Sequence, residues 1–217
     1  LNALYSHTFL FGLLPFSHTG IMGTYYFSDD MSLSLAVARG WEQSLEDNNE
    51  ALEGIISWAH TCSEKFEYAI NLSFGPQQDD DESHYRTMVD FWCDYAIADQ
   101  LSLGFNADYR YDSANAADGN ASCVWGFAGY GVYTVNDYLK GVARLEYFND
   151  TQRLDGFDAI IYSATLGVTL TPFPNDAVGK YWKLRPEIRY DHASEDIFDG
   201  GEKNRQLTLG LETYFTF

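Results

Sequence analysis

A chain of 217 residues with a formal net charge of −19 can form one sizeable domain, and its surface repels nucleic acid. Aromatic residues make up 17% of it, yet mean hydropathy is only −0.28. No run approaches the roughly 18 apolar residues of a membrane-crossing helix, which leaves strands, each needing a single apolar face, as the only way across a bilayer.

The chain opens on Leu1 with no basic-then-apolar leader, so the reading is of a processed chain or a fragment. The most apolar run, Phe9 to Phe16, contains Pro15. It reads either as the upper part of an ascending strand or as a loop folded inward, and the strand is favoured. From there apolar and polar residues alternate with a period of two, the signature of strands. Eleven strands are predicted: Thr19 to Phe27, Met31 to Trp41, Leu52 to Thr61, Phe66 to Phe74, His84 to Ile97, Leu101 to Tyr111, Ser122 to Thr134, Tyr138 to Phe148, Asp158 to Thr171, Lys183 to Asp191 and Arg205 to Phe217. The clearest is the sixth, where Leu101, Leu103, Phe105, Ala107, Tyr109 and Tyr111 oppose Ser102, Gly104, Asn106, Asp108 and Arg110. The third and seventh are the weakest, being apolar on both faces. Cys62, Cys93 and Cys123 have neither metal-ligand spacing nor an even count, and read as unpaired thiols.

The connections alternate in length. Short turns fall at Ser28 to Asp30, Cys62 to Lys65, Ala98 to Gln100 and Val135 to Asp137, with a longer one at Pro172 to Trp182. Longer polar loops fall at Glu42 to Ala51, Gly75 to Ser83, Asp112 to Ala121, Asn149 to Phe157 and His192 to Asn204. Unequal hairpin ends of this kind are expected of an all-β, antiparallel, up-and-down transmembrane barrel. A soluble sandwich also alternates. Three features favour the barrel over it: strands of bilayer-spanning length, aromatics gathered at strand ends, and an alternating last strand closing on Phe217. That ending resembles the terminal signal by which outer-membrane proteins are recognised for insertion. Placing Phe217 in the periplasm puts every short turn there and every long loop outside. The first strand then starts outside, and the strand count is odd. The expectation is therefore a single barrel domain over residues 1–217 that lacks its N-terminal strands, within a larger barrel of about 12–18 strands.

Several motifs carry a resemblance: Tyr5 to Gly20 (YSHTFLFGLLPFSHTG), Gly40–Trp41 with Asp47–Asn49, His84 to Thr87, and Leu184 to Leu211. Their order and residues resemble the OmpL-like β-barrel porins of Gram-negative outer membranes, over nearly the whole chain. The resemblance implies a general porin and several further strands upstream of the LFGLLPF segment. It implies no particular solute.

The ionisable residues on polar strand faces are expected to line the pore, since each Arg or Lys placed in lipid near the midplane costs about 2–4 kcal/mol. They are Arg86, Asp90, Asp94, Asp108, Arg110, Lys140, Arg144, Glu146, Lys183, Arg185, Glu187, Arg189 and Glu212. They either create a transverse field that passes hydrated polar solutes and ions or form ion pairs that stiffen the wall. The long loops hold 16 of the 32 acidic residues. That acidic rim is expected to face lipopolysaccharide and outer-membrane lipid, holding divalent cations loosely, without the spacing of a dedicated calcium loop. No cofactor is expected, and a homo-oligomer is left open. The five histidines are scattered, and neither GxSxG nor HExxH occurs, so an enzyme is not expected. The alternatives are a barrel sheath for a separate electron-carrying cytochrome and, less favoured, an outer-membrane hydrolase.

Overall fold

The computed structural model describes residues 3–114 and 119–216. Its strands are β1 (Gly20–Ser28), β2 (Met31–Ala38), β3 (Glu53–Ser63), β4 (Phe66–Gln78), β5 (Asp81–Ala98), β6 (Leu101–Asp112), β7 (Ser122–Asn136), β8 (Leu139–Asn149), β9 (Ile160–Leu170), β10 (Trp182–Ala193) and β11 (Arg205–Phe215). They form one 11-stranded sheet in sequence order. Each strand pairs antiparallel with the next, as two-residue turns allow without crossovers. Among the described residues β1 and β11 share no ladder, so the sheet is open there. Phe217, the expected insertion signal, lies outside the described residues.

Alternation decides which face is which. At the centre of β8, Arg144 is 1% exposed while its neighbour Leu145 is 69% exposed. On β9, Thr165 is 1% exposed and Leu166 61%. One face is thus polar and covered, and the other is apolar and bare, the reverse of a soluble sandwich. Contiguous bare apolar surface of this kind marks a lipid or partner interface.

Three expectations change. The stretch Gly75 to Ser83, read as a loop because of its glycine, proline and acids, continues the β4–β5 ladder out to Gln78 opposite Asp81. Only Asp79 and Asp80 remain as a turn, with Asp80 at φ 56, a left-handed conformation that Asp tolerates better than most residues. In the second case β2 stops at Ala38 instead of Trp41, because Gly40 takes φ 128 and turns the chain away. The third is the N-terminal run, favoured as an ascending strand, where Leu10–Leu13 forms a 3-10 helix with Leu10 and Leu13 fully buried. This segment lies on the polar face. Pro186 is tolerated inside β10 because its missing N–H costs only a local lapse: the β9–β10 ladder skips Arg185 and Pro186 and resumes at Glu187.

Candidate functional site

Register assembles the polar face into rows. Thr24, Ser34, Ser57, Asn71, Asp90 and Asp108 lie directly opposite one another from β1 to β6. Hydrogen bonds run along this row: Thr24 to Ser34 at 2.8 Å, Ser57 to the Asn71 oxygen at 2.6 Å, and the Asn71 amide to Asp90 at 2.6 Å. The Asn106 amide then bridges Asp90 (2.8 Å) and Asp108 (3.1 Å). The row sets hydroxyls, amides and two carboxylates side by side, with Asp90 and Asp108 only 9% and 3% exposed.

All the ionisable residues expected on this wall share its face, but they do not share one environment. Asp94 and Lys140 are exposed. Lys183 donates to Thr171 at 2.7 Å. Most of the arginines are paired. Arg86 makes a two-pronged contact with Asp112 (2.9 and 2.7 Å), Arg110 meets Asp155 at 3.2 Å, Arg185 meets Glu212 at 2.8 Å, and Arg189 meets Asp191 at 2.7 Å. Arg144 instead donates to Ser6 O, Ser6 Oγ and Thr165 Oγ1 at 2.7, 3.0 and 3.1 Å. Pairs of this kind hold a wall together, and they leave Glu67 and Asp94, opposite each other on β4 and β5, as exposed acids on this face.

From β6 to β10, the part of this face nearer the long loops is covered. Val124, Ala128, Phe148, Ile161 and Ala193 point inward, fully or almost fully buried, and pack with Leu10 and Leu13. The β8–β9 loop folds inward too. The buried Asp150 carboxylate accepts the Asp155 and Phe157 N–H groups (3.0 and 2.8 Å), and Phe9, Phe148 and Phe157 pack ring to ring at 5.6 to 5.7 Å. Burial pushes the Asp155 carboxyl up, although Arg110 beside it pulls the other way. Sequence reasoning missed this inner core. Its signal was the seventh strand's two apolar faces, which need a partner on each side.

At the long-loop end, the segment is pinned by acids from β2–β3. Glu42 accepts the N–H groups of Phe16 and Ser17, and His18 Nε2 lies 3.1 Å from the buried Glu53. The Phe16 N–H above all, with Ser17, holds the Glu42 carboxyl below the usual carboxylate range. A lowered folded value means the contact contributes above the ordinary carboxylate range and is lost as pH falls through the lowered one. We expect Glu42→Gln to speed amide exchange at Phe16 and Ser17 at neutral pH. The variant-to-parent rate ratio should fall to one in acid; a ratio already at one at neutral pH would refute the contact.

The acidic rim is occupied locally. Asp81 takes the Ser83 N–H (2.8 Å) and sits 2.6 Å from His84 Nδ1, while Asp199 pairs with Lys203 at 2.5 Å. Among the described residues no three His, Cys, Asp or Glu side chains converge as a metal site. Cys62, Cys93 and Cys123 are free thiols.

A family model described as "Putative beta-barrel porin-2, OmpL-like" matches residues 1–217. No curated protein sequence matches. Two solved structures are similar at low identity. One is a KdgM porin in complex with disordered oligogalacturonate, 14% identical, with 90% of each chain covered and a TM-score of 0.42. The other is a KdgM porin, 13% identical, with 90% of this chain and 89% of that one covered and a TM-score of 0.41.

Proposed function

The chain belongs to the OmpL-like β-barrel porin family, which makes it an outer-membrane porin, and we propose that it passes small polar solutes and ions with a preference for cations. The observation that carries this reading is the hydrogen-bonded row from Thr24 to Asp108, set on the face opposite the bare apolar one. A wall of hydroxyls and amides replaces part of a solute's hydration shell, and the exposed acids Glu67 and Asp94 on the same face favour cations over anions. The arginines on the same face contribute less to selectivity because their charge is met by neighbouring carboxylates. In the proposed orientation the long acidic loops face outward, where divalent cations would bridge them loosely to lipopolysaccharide phosphates.

The test is conductance of the purified protein in planar lipid bilayers. Stable steps are expected, with cation preference at low salt that fades as the Debye length shrinks from about 30 Å at 0.01 M to about 3 Å at 1 M. Asp94→Asn, which removes an exposed charge from this wall, should lower the cation-to-anion permeability ratio roughly twofold to fivefold. Silence would favour a sheath or an enzyme, and anion preference at low salt would refute the assignment of the wall.

A further inference from the structure

We propose that residues 3–14 are a strap docked on the lumen wall, and that Gly167, Gly210, Glu146 and Glu187 seat it and so set the conductance and size limit of the channel. This rests on the porin reading above.

Apart from one short 3-10 turn, the strap has no regular structure of its own, so its backbone groups need partners once they are buried. The wall supplies them with charged side chains. Glu187 accepts the N–H groups of Tyr5 and Ser6 at 2.8 and 3.1 Å. Glu146 accepts those of Phe9 and Leu10 at 2.5 and 3.3 Å. In the opposite sense, Arg189 donates to His7 O at 2.6 Å, and its guanidinium sits 4.7 Å over the Phe9 ring. Charge-assisted hydrogen bonds are roughly twice as strong as neutral ones, and here they address one backbone in one register.

The second observation is independent of charge. Glycine weakens a strand, and inside one it often marks a close approach. A Cβ at Gly167 on β9 would lie 2.5 Å from a Leu4 methyl, and one at Gly210 on β11 would lie 2.6 Å from the Tyr5 ring. Both glycines point to the covered face, and Leu4 is 0% exposed. They are sockets cut for strap side chains. From Leu10 against Gly126 on β7 to Tyr5 against Gly210 on β11, the strap crosses a width of five strands, or about 19 Å of wall at roughly 4.8 Å per strand. Solutes are left the β2–β6 side.

Filling the sockets tests this without altering any charge. Gly167→Leu/Gly210→Leu should raise single-channel conductance at least about twofold and admit larger sugars in liposome swelling. Glu146→Gln/Glu187→Gln, which weakens the seat by another route, should move both readouts the same way. Channels with parent conductance and the parent size limit in both variants would overturn the proposal. Should either variant fail to form channels, a crosslink decides. Ser6 Oγ and Thr165 Oγ1 both bond Arg144 Nη2, at 3.0 and 3.1 Å, and so lie at most about 6 Å apart. Ser6→Cys/Thr165→Cys, with the native cysteines replaced by Ser, should be bridged in the bilayer by a short bis-alkylating reagent that joins the two thiols by displacing its two halides. Failure to crosslink would overturn the strap. An absence of channels from the parent would instead overturn the porin reading.

Discussion

Replacing Arg144 with Met should cost about 3–5 kcal/mol, the penalty of breaking a buried ionic network by removing one member. Arg144 is 1% exposed and holds two elements at once: Thr165 on β9, and the Ser6 oxygens of the strap. Glu146, two residues on and on the same face, is 5% exposed, and its nearest remaining cation would be Arg189 at 3.8 Å. The substitution therefore removes one of the two cations that offset the buried Glu146 charge and frees two strap acceptors together. Urea unfolding in lipid vesicles, followed by tryptophan fluorescence, measures the loss. The double variant Arg144→Met/Glu146→Met should be less destabilised than the sum of the singles, with a coupling of about 0.5–3 kcal/mol. A loss below about 1 kcal/mol for Arg144→Met, the range of a surface ion pair, would show that water reaches this part of the wall.

The second large effect separates the two faces of one strand. Leu35 and Ser34 are neighbours at the middle of β2, and Leu35 is 53% exposed on the bare face. Leu35→Arg should destabilise the protein in lipid by about 2–4 kcal/mol, the cost of a cation near the bilayer midplane. Ser34→Arg should cost no more than about 1 kcal/mol, the value of its hydroxyl hydrogen bond to Thr24. Equal costs at the two positions would mean that the bare face is not the lipid face.

Much of the fold was legible because strand alternation is a local code. Phe105 beside Asn106, or Ile188 beside Arg189, states which side each residue faces before any partner is known. Hairpin boundaries were less legible. Gly75, Pro76 and the acids that follow read as a loop, yet the ladder tolerates them because only the two residues Asp79 and Asp80 must turn. The double-faced apolarity of Val124, Trp125, Phe127 and Ala128 looked like a weak strand, whereas β7 meets lipid on one side and the strap on the other. Register also decided the site. Asp112 becomes a partner for Arg86, and Glu212 one for Arg185, only once the ladders are fixed. The strap's anchors were invisible, since no periodicity links Phe9 to Glu146 or Tyr5 to Glu187.

The same separation has a consequence in time. Every strand of the meander finds its partner in the adjacent hairpin, so the ladder can zip from turn to turn with little loop entropy at each step. The strap's bonds to Glu146 and Glu187 instead join residues 136 to 182 positions apart. Its binding groups do not exist as a set until β8 and β10 stand on the same finished wall. On the strap proposal, docking is expected to be the closing event of assembly, with a wider lumen before it.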